Sequence, residues 1–121
     1  MSIFTKAREH FTGLRNTAHG PIEVAEWGTD GEPAKIYVKY LNLEEEAKRS
    51  ACAKESSTFH EYAVLTLMLA AVDENLKPIF PEAVRQQLTH EIDPAVLVRV
   101  ANEVTQILDR VSGALDDEKK A

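Results

Sequence analysis

The residues of this chain best suited to acid–base or metal chemistry are its four histidines, His10, His19, His60 and His90. None stands four residues from another. No helical face therefore carries two imidazoles in the HxxxH or HExxH spacing that grips a zinc ion. The single cysteine, Cys52, has no partner for an intrachain disulfide. With no basic neighbour pair or glycine turn beside it, it reads as a small boundary residue rather than a nucleophile. There is no CxxC, no GxSxG and no GxxxxGK[ST]. Gly28 and Gly31 belong to a turn that leads into no helix, so they form no phosphate loop. Asp73-x-Asn75 starts like a calcium loop, but Pro78 stands where glycine is needed and Val84 where the bidentate glutamate belongs. Catalysis needs functional groups gathered together. The expectation is a protein with no enzymatic activity, no metal and no cofactor, whose surface does the work.

The elements that shape that surface come from the pattern. The 121 residues suffice for one domain, and 44% apolar with 28% charged residues is an ordinary globular balance. The net charge is −6, with Lys and Arg scattered, so no basic stripe marks a nucleic-acid partner. No basic-then-apolar leader opens the chain. No apolar run reaches the ~20 residues of a membrane span. A cytoplasmic location with no membrane partner is expected.

The chain is organised around residues 62–72, YAVLTLMLAAV, in which Thr66 is the one polar residue. A helix without a polar face must be buried all round. Ser56-Ser57-Thr58 supplies N-cap hydroxyls, and Thr58 with Glu61 has capping-box spacing. Asp73-Glu74-Asn75 stops the helix.

Before it, Phe4, Ala7, Phe11 and Leu14 mark one helical face. Residues 1–17 are read as a helical segment lying on the core or as a detachable arm. Residues 17–20 read as a loop closed by Gly20-Pro21. Two alternating runs flank Asp30-Gly31 and predict a β-hairpin over about 21–41. Ile36, Val38 and Tyr40 form its buried face. Lys35 and Lys39 point the other way, towards Glu23 or Glu26. Such a hairpin must lean on helices or on another chain. Asn42 with Glu45 is a second capping-box pair, opening a helix over about 43–55. Glu44–Lys48 and Glu45–Arg49 are i,i+4 pairs, so this charge run reads as a solvated face.

After it, Pro81 suits the first turn of a helix over about 81–90, with Val84 and Leu88 on one side. Asp93-Pro94 is the strongest helix start in the chain. From there Leu97, Ala101, Val104, Leu108, Val111 and Leu115 form a heptad seam on a helix over about 94–113. That seam packs on the central helix or, in part, on a neighbouring subunit. Residues 18–115 make the domain and 116–121 a flexible tail. The fold class is mainly α: a small helical domain with an N-terminal β-hairpin packed on or beside the helices.

The order of these stretches resembles a known family. Glu26-Trp27-Gly28 and Asp30-Gly31 are followed by Leu41-Asn42-Leu43 and a Glu-rich helix. An apolar helix, then Asp73 to Phe80 (DENLKPIF) and the Asp93-Pro94 start complete the series. The chain is similar, from about 21 to 111, to the tail assembly chaperones of long-tailed bacteriophages and prophages. Their pattern includes an E-W-G turn and a D-x-x-G-K-P-x-F turn; here Leu76 stands where relatives often have glycine. The resemblance implies a non-enzymatic factor of the host bacterial cytoplasm, absent from the mature virion. It would bind the tape measure protein, keep it soluble and recruit tail tube protein around it. A homo-oligomer is expected as well, through an uncovered edge of the hairpin, since such an edge invites pairing. The candidate partner or self-association residues are Leu97, Ala101, Val104, Leu108 and Val111 of the seam, with Phe4, Phe11 and Leu14 of the first segment. A small acidic adaptor or regulatory domain with an unrelated partner is the alternative reading.

Overall fold

A computed structural model of the chain describes residues 2–55 and 59–120, with the backbone alone described at 55, 59 and 113–120. The fold is mainly α with a small antiparallel sheet. Helix α1 (Ile3–Arg15) precedes strands β1 (His19–Thr29) and β2 (Glu32–Val38). Helices α2 (Leu43–Glu55) and α3 (Phe59–Ala70) follow, then a two-residue strand β3 (Ala71–Val72). A 3₁₀ turn (Glu82–Val84), α4 (Arg85–His90) and α5 (Pro94–Lys120) complete the chain. The sheet order is β1-β2-β3.

The hairpin forms where the alternation predicts it. Ile22 pairs with Ile36, Glu23 with Lys35 and Val24 with Ala34. Ile22, Val24, Ile36 and Val38 are buried on one face. The turn is Asp30-Gly31, between the pair Thr29 and Glu32. Gly31 alone takes the positive φ, 82°. Two expectations need correction. β1 starts at His19, so 17–20 is not all loop, and Gly20 carries the strand past an irregularity with φ 133°. Tyr40 lies beyond β2 and is only partly buried.

The central helix ends at Ala70, short of the expected 72. Ala71 and Val72 pair instead with Val38 and Tyr37, and the Lys39 amide donates to the Ala70 carbonyl at 2.9 Å. The free edge of β2 offers these residues a ladder, β-branched Val72 suits it, and the turn cluster beyond prevents another helical turn. Burial all round is also only partly right. Ala63, Val64, Thr66, Leu67 and Ala70 are buried, whereas Leu65, Met68 and Leu69 are partly open. The expected Thr58–Glu61 box, with the Ser56 and Ser57 caps, lies outside the described residues.

Other capping signals appear as read. Asn42 Oδ1 accepts from the Glu45 amide at 2.8 Å, and Glu45 Oε1 accepts from the Asn42 amide at 2.9 Å. Asp93 Oδ1 accepts from the Ala95 amide at 3.1 Å at the start of α5. Pro81, expected inside the fourth helix, sits just before a 3₁₀ turn that leads into α4. The backbone of α5 stays helical to Lys120, so the expected tail at 116–120 belongs to that helix; nothing in its sequence breaks one.

The solvated-face reading of α2 fails at Arg49, which is 6% exposed. Its Nε donates to Thr66 Oγ1 at 3.3 Å, and its Nη2 to Tyr62 Oη at 2.7 Å and Thr105 Oγ1 at 3.3 Å. Its ion pair is with Glu46, one residue nearer than Glu45. One guanidinium thus joins α2, α3 and α5. Thr66, the lone polar residue of the central stretch, is fully buried because it accepts this bond. An i,i+4 argument sees only a helix's own neighbours and misses a partner on another element.

Candidate functional site

The histidines do not assemble. His10 is exposed on α1, and His19 hydrogen-bonds through Nε2 to the Leu14 carbonyl at 3.1 Å. His60 and His90, distant in sequence, do share a cleft of about 500 Å³ between α3, α4 and α5, together with Glu61 and Arg85. No sequence signal joins them; only the packing of α4 against α3 does. Among the described residues no three of His, Cys, Asp or Glu gather as metal ligands, and no helix is long and apolar enough to cross a membrane. The calcium-like start is a turn: Asp73 Oδ1 accepts from the amides of Asn75 at 2.8 Å and Lys77 at 3.0 Å.

The seam proposed as an interface lies in the core. Leu97, Ala101, Val104 and Leu108 are all buried, because α5 lays this stripe on α3 and the hairpin. These four residues are therefore not a partner surface in the folded chain. Val111 is partly buried, at the edge of a groove described below, and the Leu115 side chain lies outside the described ones.

The first segment is different: no residue of α1 is buried. Ser2 caps the helix, accepting from the Thr5 amide at 3.1 Å. Ile3 and Phe4 are 88% and 72% exposed, while Phe11 and Leu14 are partly buried. The helix touches the body through its last turns. Phe11 meets Tyr40 with ring centroids 6.2 Å apart, and Arg15 makes a two-pronged pair with Glu45. Glu45 thus closes the α2 capping box and holds α1. Partial burial would raise its pKa, but the Arg15 hydrogen bond, the Asn42 amide and the charges of Arg15 and Lys39 outweigh that and lower it. The helix is neither laid on the core nor detached from it; it is held at one end.

Two of the stretches that carry the family resemblance, Glu26-Trp27-Gly28 and Asp73 to Phe80, meet beside the hairpin. Glu26 receives two hydrogen bonds from Arg99 of α5, at 2.6 and 2.7 Å. Arg99, aided by a backbone amide, holds the Glu26 carboxyl down at about 2, and Glu26 raises Arg99 in turn. Trp27 packs edge-on against Phe80. Gly28 lies flat against β2: a Cβ there would collide with the Glu32 carbonyl oxygen and stand 2.7 Å from the Pro33 Cα. The Asp73–Phe80 turn takes a positive φ of 67° at Leu76, the position where relatives often have glycine.

A groove of about 720 Å³ runs between the start of β1 and α5. Ile22, Ile107 and Val111 line it together with Glu23, Glu103 and Arg110, and its surface is mainly polar. No family model, curated protein or solved structure matches the chain.

Proposed function

We propose that this chain is a tail assembly chaperone of a long-tailed bacteriophage or prophage. It binds the tape measure protein in the host cytoplasm, keeps it soluble, helps recruit tail tube subunits, and is absent from the finished particle. In this reading it has no enzymatic activity and no nucleic-acid partner.

The observation that carries the reading is the meeting of Glu26-Trp27-Gly28 with the Asp73–Phe80 turn, through Trp27 and Phe80. Two stretches chosen for family likeness, far apart in sequence, serve one packing unit. The backbone at Leu76 adds support, since it adopts the conformation that favours the glycine of the family pattern. An exposed apolar helix face on an acidic body suits a factor that shields apolar helical stripes of a long client. Many weak contacts along one client would add up to firm coating.

Co-expression tests it. The product of the very long reading frame next to this gene should be insoluble alone and soluble, co-purifying with this chain, when both are made. A client equally insoluble with and without the chain removes the reading.

A further inference from the structure

We propose that the cleft between α3, α4 and α5 binds a small amphipathic carboxylate: an apolar chain or ring that carries one carboxyl group. Helix α4 packs on α3 through Leu88, its one buried residue, and the cleft opens beside that contact. Buried Val64, Leu88 and Leu97 line it with half-buried Ile92 and exposed Pro94, and its surface is mainly apolar. Its polar residues, His60, Glu61, Arg85, Thr89 and His90, are all exposed. The volume, about 500 Å³, falls in the ~300–1,000 Å³ range of small-molecule sites. An apolar lining with a few polar groups is the usual make-up of such sites.

The polar groups identify the head of the ligand. Among the described residues of the lining, Arg85 is the one permanent cation and Glu61 the one carboxylate. Arg85 Nη1 meets Glu82 at 3.3 Å, a pair too exposed to hold the guanidinium against a better acceptor. His60 and His90 each bring at least one N–H donor in either charge state. An ammonium head would find Glu61 alone and would meet Arg85 as a like charge. A neutral head would leave the guanidinium to water. A carboxylate can accept the two-pronged Arg85 fork and an imidazole N–H besides, and charge-assisted bonds of this kind are the strong ones. The neighbouring acids Glu91 and Asp93 do not line the cleft, and Asp93 is engaged as the α5 cap. The net charge of −6 repels anions at long range. Physiological salt screens that repulsion over ~8 Å, so the groups lining the cleft decide.

The purified full chain is enough for the test, so its result is independent of the chaperone reading. In calorimetric titration octanoate should bind saturably, one molecule per chain. It should bind about tenfold more tightly than octanol or octylammonium, which share its chain length. In NMR spectra of the wild-type chain it should move the methyl signals of Val64, Leu88 and Leu97 and the imidazole signals of His60 and His90. Those of His10 and His19, which lie outside the cleft, should stay in place. Arg85→Glu, at an exposed position, should weaken octanoate about tenfold, leave octanol affinity as it was, and barely change the melting temperature. Binding that never saturates, equal affinity for octanoate and octanol, or movement of the His10 and His19 signals instead overturns the proposal. So does an Arg85→Glu chain that binds octanoate as the wild type does. An acidic helical peptide that takes the cleft more tightly than octanoate also overturns it, since the occupant would then be a protein.

Discussion

The indole of Trp27 stands edge-on to the ring of Phe80, with centroids 5.9 Å apart and planes at 74°. This contact pins the β1–β2 end of the sheet to the turn that follows β3. Edge-to-face pairs contribute about 0.5–1.5 kcal/mol beyond the area they bury. A double-mutant cycle with Trp27→Leu and Phe80→Leu, followed by urea unfolding, should return a coupling energy of that size. Strict additivity would show that the rings merely share a neighbourhood.

Leu76 carries a φ of 67° without a glycine's freedom. The left-handed conformation costs an ordinary L-residue on the order of 1–2 kcal/mol, and a glycine returns part of that gain through its looser unfolded state. Leu76→Gly should therefore raise stability by about 0.5 kcal/mol. Leu76→Val should lower it, because a β-branched residue tolerates positive φ worst. Denaturation midpoints in the order Gly, Leu, Val check this; the reverse order would mean that the Leu76 side chain matters more than its backbone.

Glu26 gives the protein an acid-sensitive contact. Its folded pKa, about 2, lies below the ordinary 4.5 because Arg99 hydrogen-bonds the carboxylate. The stabilisation is therefore complete above pH 4.5 and is lost as pH falls through about 2. Glu26→Gln should flatten the fall in melting temperature across that window and leave its slope above it unchanged. Equal acid slopes in the two proteins would refute the pairing.

Arg49 is a buried cation with three hydroxyl partners and one carboxylate. Truncating it leaves a cavity and strips a hydrogen-bond partner from fully buried Thr66. Arg49→Ala should cost about 3 kcal/mol, whereas Arg49→Met, which keeps the packing, should cost less. Guanidinium unfolding of the two variants decides; equal losses would place the whole effect in the hydrogen bonds.

The parts of this fold legible in the sequence are those fixed by near neighbours. Asn42 with Glu45 and Asp93 with Pro94 announce helix starts because a cap needs only three or four residues. Ile22, Val24, Ile36 and Val38 announce a buried sheet face because alternation is local. The seam from Leu97 to Leu108 was legible as an apolar stripe, yet its spacing is the same whether α3 or another subunit covers it. Arg49, β3 and the meeting of His60 with His90 were not legible. Each depends on an element elsewhere in the chain that local spacing does not encode. The open half of α1 was visible only as an alternative, since exposure of an amphipathic face is a fact about what fails to cover it.

Ala70 closes a helix and Ala71 opens a strand with no residue between. Rod and ribbon are welded end to end, and a load on one reaches the other without slack. To tilt the rod alone, a force would have to shear the two rungs that join Tyr37 to Val72 and Val38 to Ala71. The last residue of the rod is therefore tied straight into the sheet, whereas the arm fastened at Glu45 has no buried residue of its own.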